Sequence, residues 1–334
     1  MKAPDGNKLA ILNALNKPGF VSGQALGEQL GISRAAVSKH INSLQEMGLD
    51  IFKVTGKGYS LNNYAGLLNQ SQIQQHYNQL NSQLKSQSAN VEVHPIIDST
   101  NSELMRRIQA KTALESGTII VAEMQQAGRG RRGRVWQSPF GANLYYSYFW
   151  RLDDGLQAAM GVSIAVGLAV YDTIKALYDI DLELKWPNDI YLNKQKLAGV
   201  LVELDGQPQG PCQLVLGIGI NLQMPENFSQ NIDQAWTDLS QHTQKLDKNE
   251  LVASLTYHLE HRLEQYRKSG LQTMHQQWNS LNAFAGECVE LNTGHRSWRG
   301  ICEGIDPQGG IRIRQDGDVK SYYGGEISLR KASL

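Results

Sequence analysis

Apolar residues repeat at helical spacing three times between positions 8 and 61, then give way to short extended runs. Lys8 to Leu15 reads as a helix. Ser22 is placed to cap a second one running to Leu30, Gly31 permits a tight turn, and Ser33 caps a third with Val37, Ile41 and Leu44 at i, i+4 and i+7. Gly48 ends it. Turning that stripe inward leaves Ser33, Arg34, Ser38, Lys39 and Asn42 on the open side. Asp50 to Val54 and Gly58 to Leu61 are extended pieces around a hairpin tip at Thr55-Gly56-Lys57. Together these elements predict a winged helix-turn-helix over residues 1–62, with the helix-turn-helix at about 23–42.

Residues 63–90 shift to Gln, Asn and Ser, yet Ile73, Tyr77, Leu80 and Leu84 keep helical spacing, which predicts a linker helix with a flexible end. From Val91 to Phe284 strands and helices mix. Strands are predicted at Val91 to Ile97, Thr118 to Met124, Asn143 to Trp150, Leu182 to Lys185, Ile190 to Leu192, Lys196 to Leu204 and Leu214 to Leu222. Helices are predicted at Asn101 to Ala110, Leu156 to Tyr178, Asn249 to Lys268 and Leu271 to Phe284. Beyond Gly286, short strands are cut by turn signals at Thr293-Gly294, Pro307 to Gly310, Asp316-Gly317 and Gly324-Gly325, the pattern of a small barrel over 285–334. The fold class is therefore α+β and multidomain.

Composition changes this picture in two ways. The 334 residues carry 32 basic and 32 acidic side chains, which excludes a polycation or an acidic tail, but the charge is uneven. Residues 1–62 hold seven bases against four acids, a net +3 that leaves −3 elsewhere. The longest nearly apolar run, Met160 to Tyr171, is twelve residues, short of the roughly 20 that span a bilayer. A polar start and three cysteines without C-x-x-C spacing (Cys212, Cys288, Cys302) predict reduced thiols and a cytoplasmic protein.

Two clusters carry the chemistry. Gln125-Gln126-Ala127-Gly128-Arg129-Gly130-Arg131-Arg132-Gly133-Arg134 places four arginines in six positions directly after an apolar strand. Its glycines spell G-x-G-x-x-G, but arginines between them and a strand-like continuation do not suit a dinucleotide turn that must open a helix. A cationic, glycine-hinged loop suits a phosphate-bearing ligand, since guanidinium forks bind phosphate bidentately; a solvated basic loop is the plainer alternative. The second cluster is Lys185-Trp186-Pro187-Asn188-Asp189, followed by Lys196-Leu197-Ala198-Gly199. Lysines among apolar strands call for an anion, and Asp189 as a simple ion-pair partner of Lys185 is the structural alternative. Asp98-Ser99-Thr100-Asn101 starts a helix, with Thr100 and Glu103 as a capping box that leaves the Ser99 hydroxyl and the Asn101 amide for a ligand. Gly217-Ile218-Gly219-Ile220-Asn221 ends a strand with room for close approach by a flat group.

In this order these motifs closely resemble the biotin-protein ligases, and with the flanking domains the whole chain resembles the bifunctional type that is also a biotin-operon repressor. The resemblance implies a central class II synthetase-like mixed α/β domain over 91–284 and a terminal SH3-like β-barrel. It implies that biotin and ATP give biotinyl-5'-adenylate, with Mg2+ as expected companion of ATP, and that biotin then passes to a lysine of biotin carboxyl carrier protein. By similarity, Ser99, Thr100, Asn101, Gln125, Arg129, Gly130, Arg131 and Lys196 would bind biotin. Arg131, Trp136, Lys185, Asn188, Asp189 and Asn221 would lie at the nucleotide, and Arg131, Lys196, Lys185 and Asp189 would act in catalysis. Ser33, Arg34, Ser38, Lys39, Asn42 and Lys57 would read operator DNA from a homodimer formed with biotinyl-5'-AMP as corepressor. A ligand-sensing regulator without enzymatic activity, a lipoate ligase of the same core and a monofunctional ligase with an idle N-terminal domain are the rival readings.

Overall fold

The computed structural model describes residues 6–15, 19–61, 66–81, 90–153, 155, 159–206, 210–225, 228, 232, 234–292, 297–323 and 328–331, the last four by backbone only. Leu84, the start of the helix expected from Leu156, and the turns at Thr293-Gly294 and Gly324-Gly325 lie outside the described residues.

Helices α1 (Gly6–Leu15), α2 (Gly23–Leu30) and α3 (Arg34–Glu46) form the N-terminal unit with the hairpin β1 (Ile51–Val54) and β2 (Gly58–Leu61). Ser22 Oγ accepts from Ala25 N and Ser33 Oγ from Ala36 N, while Gly31 between them takes φ 65°. Ile11, Leu12, Leu15, Leu26, Val37, Ile41 and Leu44 bury together, but two residues of the central domain, Met124 and Phe140, complete this core. Phe140 N donates to Met47 O at 3.0 Å, and Gly48 (φ 103°) packs where a Cβ would lie 2.7 Å from Pro139 Cβ. The N-terminal unit thus sits directly on the segment that leaves the arginine loop.

Helix α4 (Gln70–Leu80) follows, capped by Asn69. Ile73 and Tyr77 bury as the spacing predicts, whereas Leu80 is 43% exposed. The helix is fastened to the central domain: Asn249 accepts from Asn69 N and donates to Leu67 O and Gln72 Oε1, and Tyr77 Oη donates to Glu260 Oε2 at 2.5 Å.

Strands β3 (Asn90–His94), β4 (Thr118–Ala122), β5 (Asn143–Leu152), β6 (Glu183–Lys185), β7 (Asp189–Leu192), β8 (Gln195–Gly206) and β9 (Cys212–Asn221) form one sheet in the order β3-β4-β5-β9-β8-β7-β6. Only the β3–β4 pair is parallel. Alternation along the strands divides the residues between two faces. Ile119, Val121, Tyr146, Tyr148, Leu214 and Leu216 join the core under α6 (Val162–Tyr178) and α7 (Lys248–Ser269). Ile120, Phe149 and Val215 pack on the other face against Leu104 and Ile108 of α5 (Thr100–Gln109).

Three element expectations need correction. Helix α6 starts at Val162, because Gly161 before it adopts φ 83° and lies so close to Leu271 that a Cβ would meet Leu271 Cδ1 at 2.7 Å. The helix expected from Leu271 to Phe284 shrinks to α8 (His275–Ser280). Residues 281–283 are drawn into strand-like pairing with β6: Leu184 N donates to Leu281 O at 2.7 Å and Ala283 N to Leu184 O at 2.9 Å. Helix α5 is capped by Ser99, whose Oγ accepts from Ser102 N, and not by Thr100; Glu103 pairs with Arg106 and Arg107 instead of closing a capping box.

The C-terminal strands β10 (Cys288–Asn292), β11 (Ser297–Ile305), β12 (Ile311–Gln315), β13 (Asp318–Tyr322) and β14 (Ser328–Lys331) form an antiparallel sheet in the order β13-β12-β11-β10-β14. Its apolar side, with Val289, Leu291, Ile311 and Ile313, joins the central core. Cys212, Cys288 and Cys302 are free thiols. No described helix is long and apolar enough to cross a membrane.

Candidate active site

On the α5 face of the large sheet, beyond the N-terminus of that helix, a cavity of about 420 Å³ opens. The separate motifs meet there. Ser99, Thr100 and Asn101 arrive on the first turn of α5, Gln125 follows β4, and Gly130 and Arg131 come from the arginine loop. Lys185, Asn188 and Asp189 come from the β6–β7 turn and Lys196 from β8.

The arginine loop is a narrow hairpin. Trp136 N donates to Gly128 O at 3.0 Å and Gly130 N to Arg134 O at 2.8 Å, around a 3-10 turn at Arg131–Gly133 in which Arg132 takes φ 59°. Gly128 allows the two arms to close, since a Cβ there would lie 2.3 Å from Ser138 Oγ. Arg132 and Arg134 are exposed; Arg131 turns inward, its Nη1 at 3.4 Å from Asn188 Oδ1. Burial, and then the neighbouring Arg132 charge, pull the Arg131 guanidinium below its ordinary pKa against the opposing pull of Asp189. A cation held at such a cost is preset for an anionic ligand.

The ion pair in the second cluster is not the Lys185–Asp189 pair of the structural alternative. Asp189 pairs with Lys196 (2.7 Å), both side chains being largely buried, and not with Lys185. The register explains this: Asp189 sits beside Gly199 in the β7–β8 pair, and a β-bulge after Ile190 swings Lys196 toward it. Lys185 Nζ donates to Tyr191 Oη at 2.8 Å and stands over the Tyr191 and Phe284 rings. Burial, followed by the Asp189 charge, pushes Tyr191 up to about 12, so it remains a neutral phenol at pH 7.

Trp136 lies across β8 and β9. A Cβ on Gly219 would meet its ring at 2.7 Å, and Lys196 Nζ stands 5.5 Å from its ring centroid. The indole Nε1 is buried with no acceptor among the described residues, an open donor in a polar site. Gly217 is needed in the same way by Asn101, whose Oδ1 would lie 2.3 Å from a Cβ there.

The Ser99 hydroxyl and Asn101 amide expected to be free are in use. Ser99 caps α5, and Asn101 Nδ2 donates to Leu201 O and to Glu203. Thr100 lines the cavity beside them and donates to Gln125 Oε1 at 3.2 Å. Asn221 does not line the cavity; its Nδ2 donates to the carbonyls of Lys196 and Thr237, fastening the strand behind it. Sequence reasoning missed Tyr145, which lines the cavity, and Ser147, which binds Thr100 and Asn101 beneath it. A lone serine in the run Tyr145-Tyr146-Ser147-Tyr148-Phe149-Trp150 was the available signal for the latter. Outside this cavity, Ser33, Arg34, Lys39, Asn42 and Lys57 are exposed and Ser38 is partly so.

Comparison with known proteins agrees with this arrangement. Residues 7–60 match an HTH domain, residues 93–221 the biotin/lipoate A/B protein ligase family, and residues 284–330 the biotin protein ligase C-terminal domain. The chain is 45% identical over 324 residues to the bifunctional ligase/repressor BirA of Salmonella typhimurium, covering 97% of this chain and 98% of that protein. The chain belongs to this family. The Escherichia coli protein of the same name is 44% identical, with 97% of each chain covered. Among solved structures, the biotin protein ligase of Aquifex aeolicus in complex with biotin and ATP aligns at TM-score 0.62 and 28% identity, covering 73% of this chain and 99% of that one.

Proposed function

We propose that this protein is an ATP-dependent biotin-protein ligase that also represses the biotin operon. The observation that carries the reading is the meeting of the arginine loop with Lys185, Asn188, Asp189 and Lys196 around one cavity, in a chain whose N-terminal unit presents an exposed basic helix. In the first step a biotin carboxylate oxygen bonds to the α-phosphorus of ATP and pyrophosphate leaves. That attack brings two anions together, and a cation at 4 Å offsets about 4 kcal/mol of repulsion in a partly shielded site. Arg131, Lys185 and Lys196 supply such cations. The product is a mixed anhydride that water would destroy, so the glycine-hinged loop closes over it. In the second step the amine of a carrier-protein lysine attacks the acyl carbon and AMP leaves, with Asp189 placed to orient the amine or accept its proton.

On this reading Ser99, Thr100, Asn101, Gln125, Arg129, Gly130, Arg131 and Lys196 serve biotin, and Arg131, Trp136, Lys185, Asn188 and Asp189 serve the nucleotide; Asn221 acts through the Lys196 backbone. Mg2+ fits as companion of the phosphates, since it needs few protein ligands and Asp189 is a carboxylate on the cavity wall. The large sheet corresponds to a class II synthetase-like core and the terminal sheet to an SH3-like barrel. Biotinyl-5'-AMP acts as corepressor by favouring a cytoplasmic homodimer that sets two winged helices on operator DNA.

The ligase is tested by mixing protein, ATP, Mg2+, biotin and biotin carboxyl carrier protein. Biotin-dependent pyrophosphate release and the mass shift of one biotin on the carrier are expected. A regulator without enzymatic activity releases none, and a lipoate ligase prefers lipoate in direct competition. Repression is tested with Arg34→Ala and Lys39→Ala. Each is expected to weaken operator binding and to lower the salt slope by about one, with pyrophosphate release unchanged. Unaltered operator affinity in both would remove α3 as the reading helix.

A further inference from the structure

Glu203, on β8, does not line the cavity and has no part in the reaction above, yet it gathers groups from the loop and from α5. Its oxygens accept from Arg129 Nη2 at 2.9 and 3.0 Å, and Oε2 accepts from Asn101 Nδ2 at 2.8 Å. Arg129 Nη1 is meanwhile bonded to Ser102 Oγ on α5. The first arginine of the loop is therefore tied to the sheet and to a helix at once, while Arg132 and Arg134, three and five residues on, stand exposed.

The bonds continue from Asn101 beneath the cavity. Ser147 Oγ lies 2.6 Å from Asn101 Oδ1 and 2.7 Å from Thr100 Oγ1, and Thr100 donates to Gln125 Oε1. Gln125 Nε2 donates to Ser138 Oγ, which donates to Trp136 O at 2.7 Å. Trp136 is the far end of the loop, so one chain of hydrogen bonds joins the loop's two feet. Only its Glu203 end carries a charged pair, and charge-assisted bonds are roughly twice as strong as neutral ones.

We propose that Glu203 is a positioning residue that clamps the first foot of the arginine loop, so that closure pivots within residues 130–134 while Arg129 and Asn101 stay fixed. Its kinetic consequence rests on the ligase reading; the clamp itself rests on these contacts alone. Arg129 acts as a wall group whose charge Glu203 balances, which leaves Arg131 to meet the incoming anion.

Trypsin tests the clamp without any assay of activity, because it cleaves after a lysine or arginine, and after an arginine only when its guanidinium can leave its partners. Early fragments of the ligand-free full chain are mapped by mass spectrometry. In the wild type, cleavage after Arg132 and Arg134 is expected to outpace cleavage after Arg129. Glu203→Gln should raise cleavage after Arg129 about tenfold and cleavage after Arg134 less than twofold. Glu203→Asp, which keeps the charge, should fall between, and it serves as the test if the glutamine variant does not fold. An unchanged ratio of the two cleavages, or an equal rise at every arginine, overturns the clamp.

The kinetic arm measures pyrophosphate release. Glu203→Gln should raise the KM for biotin about tenfold with kcat altered less than threefold, and adding it to Arg129→Gln should cause no further loss. Effects that multiply mean that Glu203 does not act through Arg129. Absence of biotin-dependent release from the wild type would refute the ligase reading instead, and the cleavage map would still decide the clamp.

Discussion

Trp186 donates its indole N–H to the carbonyl of Gly309 at 3.0 Å, joining the turn that carries Lys185, Asn188 and Asp189 to the C-terminal sheet. The side chain is 2% exposed. The terminal domain thus helps hold the Lys185–Asp189 turn in place.

Trp186→Phe keeps an aromatic ring in the core but leaves a buried carbonyl without its donor. A loss of about 1–3 kcal/mol in urea unfolding is expected, together with slower pyrophosphate release. Wild-type stability and rate in this variant would show that the bond to Gly309 positions nothing.

Lys196 stands between Asp189 and the Trp136 ring, where on the proposed reaction it would meet charge that develops at the phosphate. Lys196→Ala is expected to slow adenylate formation by about 100-fold, the scale for losing one preorganised charge-stabilising group. Single-turnover transfer from preformed adenylate should suffer much less. Equal losses in the two steps would contradict a role confined to the first.

The two glycines under Trp136 are not equivalent. A Cβ on Gly219 meets the indole at 2.7 Å, whereas one on Gly199 meets it at 3.4 Å. Gly219→Ala should cost about 1–3 kcal/mol or displace the ring, shift tryptophan emission and raise the KM for ATP. Gly199→Ala should do much less of each, and equal behaviour of the two variants would remove the steric account of Trp136 placement.

Burial holds the Glu260 carboxyl above the ordinary glutamate value of 4.5, with the bond from Tyr77 opposing it. A group raised in this way contributes most to stability below its unfolded value, and that contribution is lost as pH rises through the folded value. Glu260→Gln keeps an acceptor for Tyr77 without the charge. The variant should melt higher than wild type at pH 7.5, with the advantage fading toward pH 4; a difference independent of pH would place the cause elsewhere.

The sequence by itself determined the parts that depend on local periodicity and on short motifs. Ser22, Gly31 and Ser33 mark the helix-turn-helix because caps and left-handed turns are set within four residues. The alternating strands, the arginine loop and the Lys185–Asp189 turn were legible for the same reason, and their order sufficed for the family. Only the tertiary structure decided who partners whom. A bulge in β7–β8 gave Asp189 to Lys196 and not to Lys185. The edge of β6 took residues 281–283 out of an expected helix, and Phe140 went to the core of the N-terminal unit. Glu203, 74 residues from Arg129 in sequence, became its counterion only because β8 passes beside the loop. Such long-range pairings follow from register and packing, which no local pattern along the chain encodes.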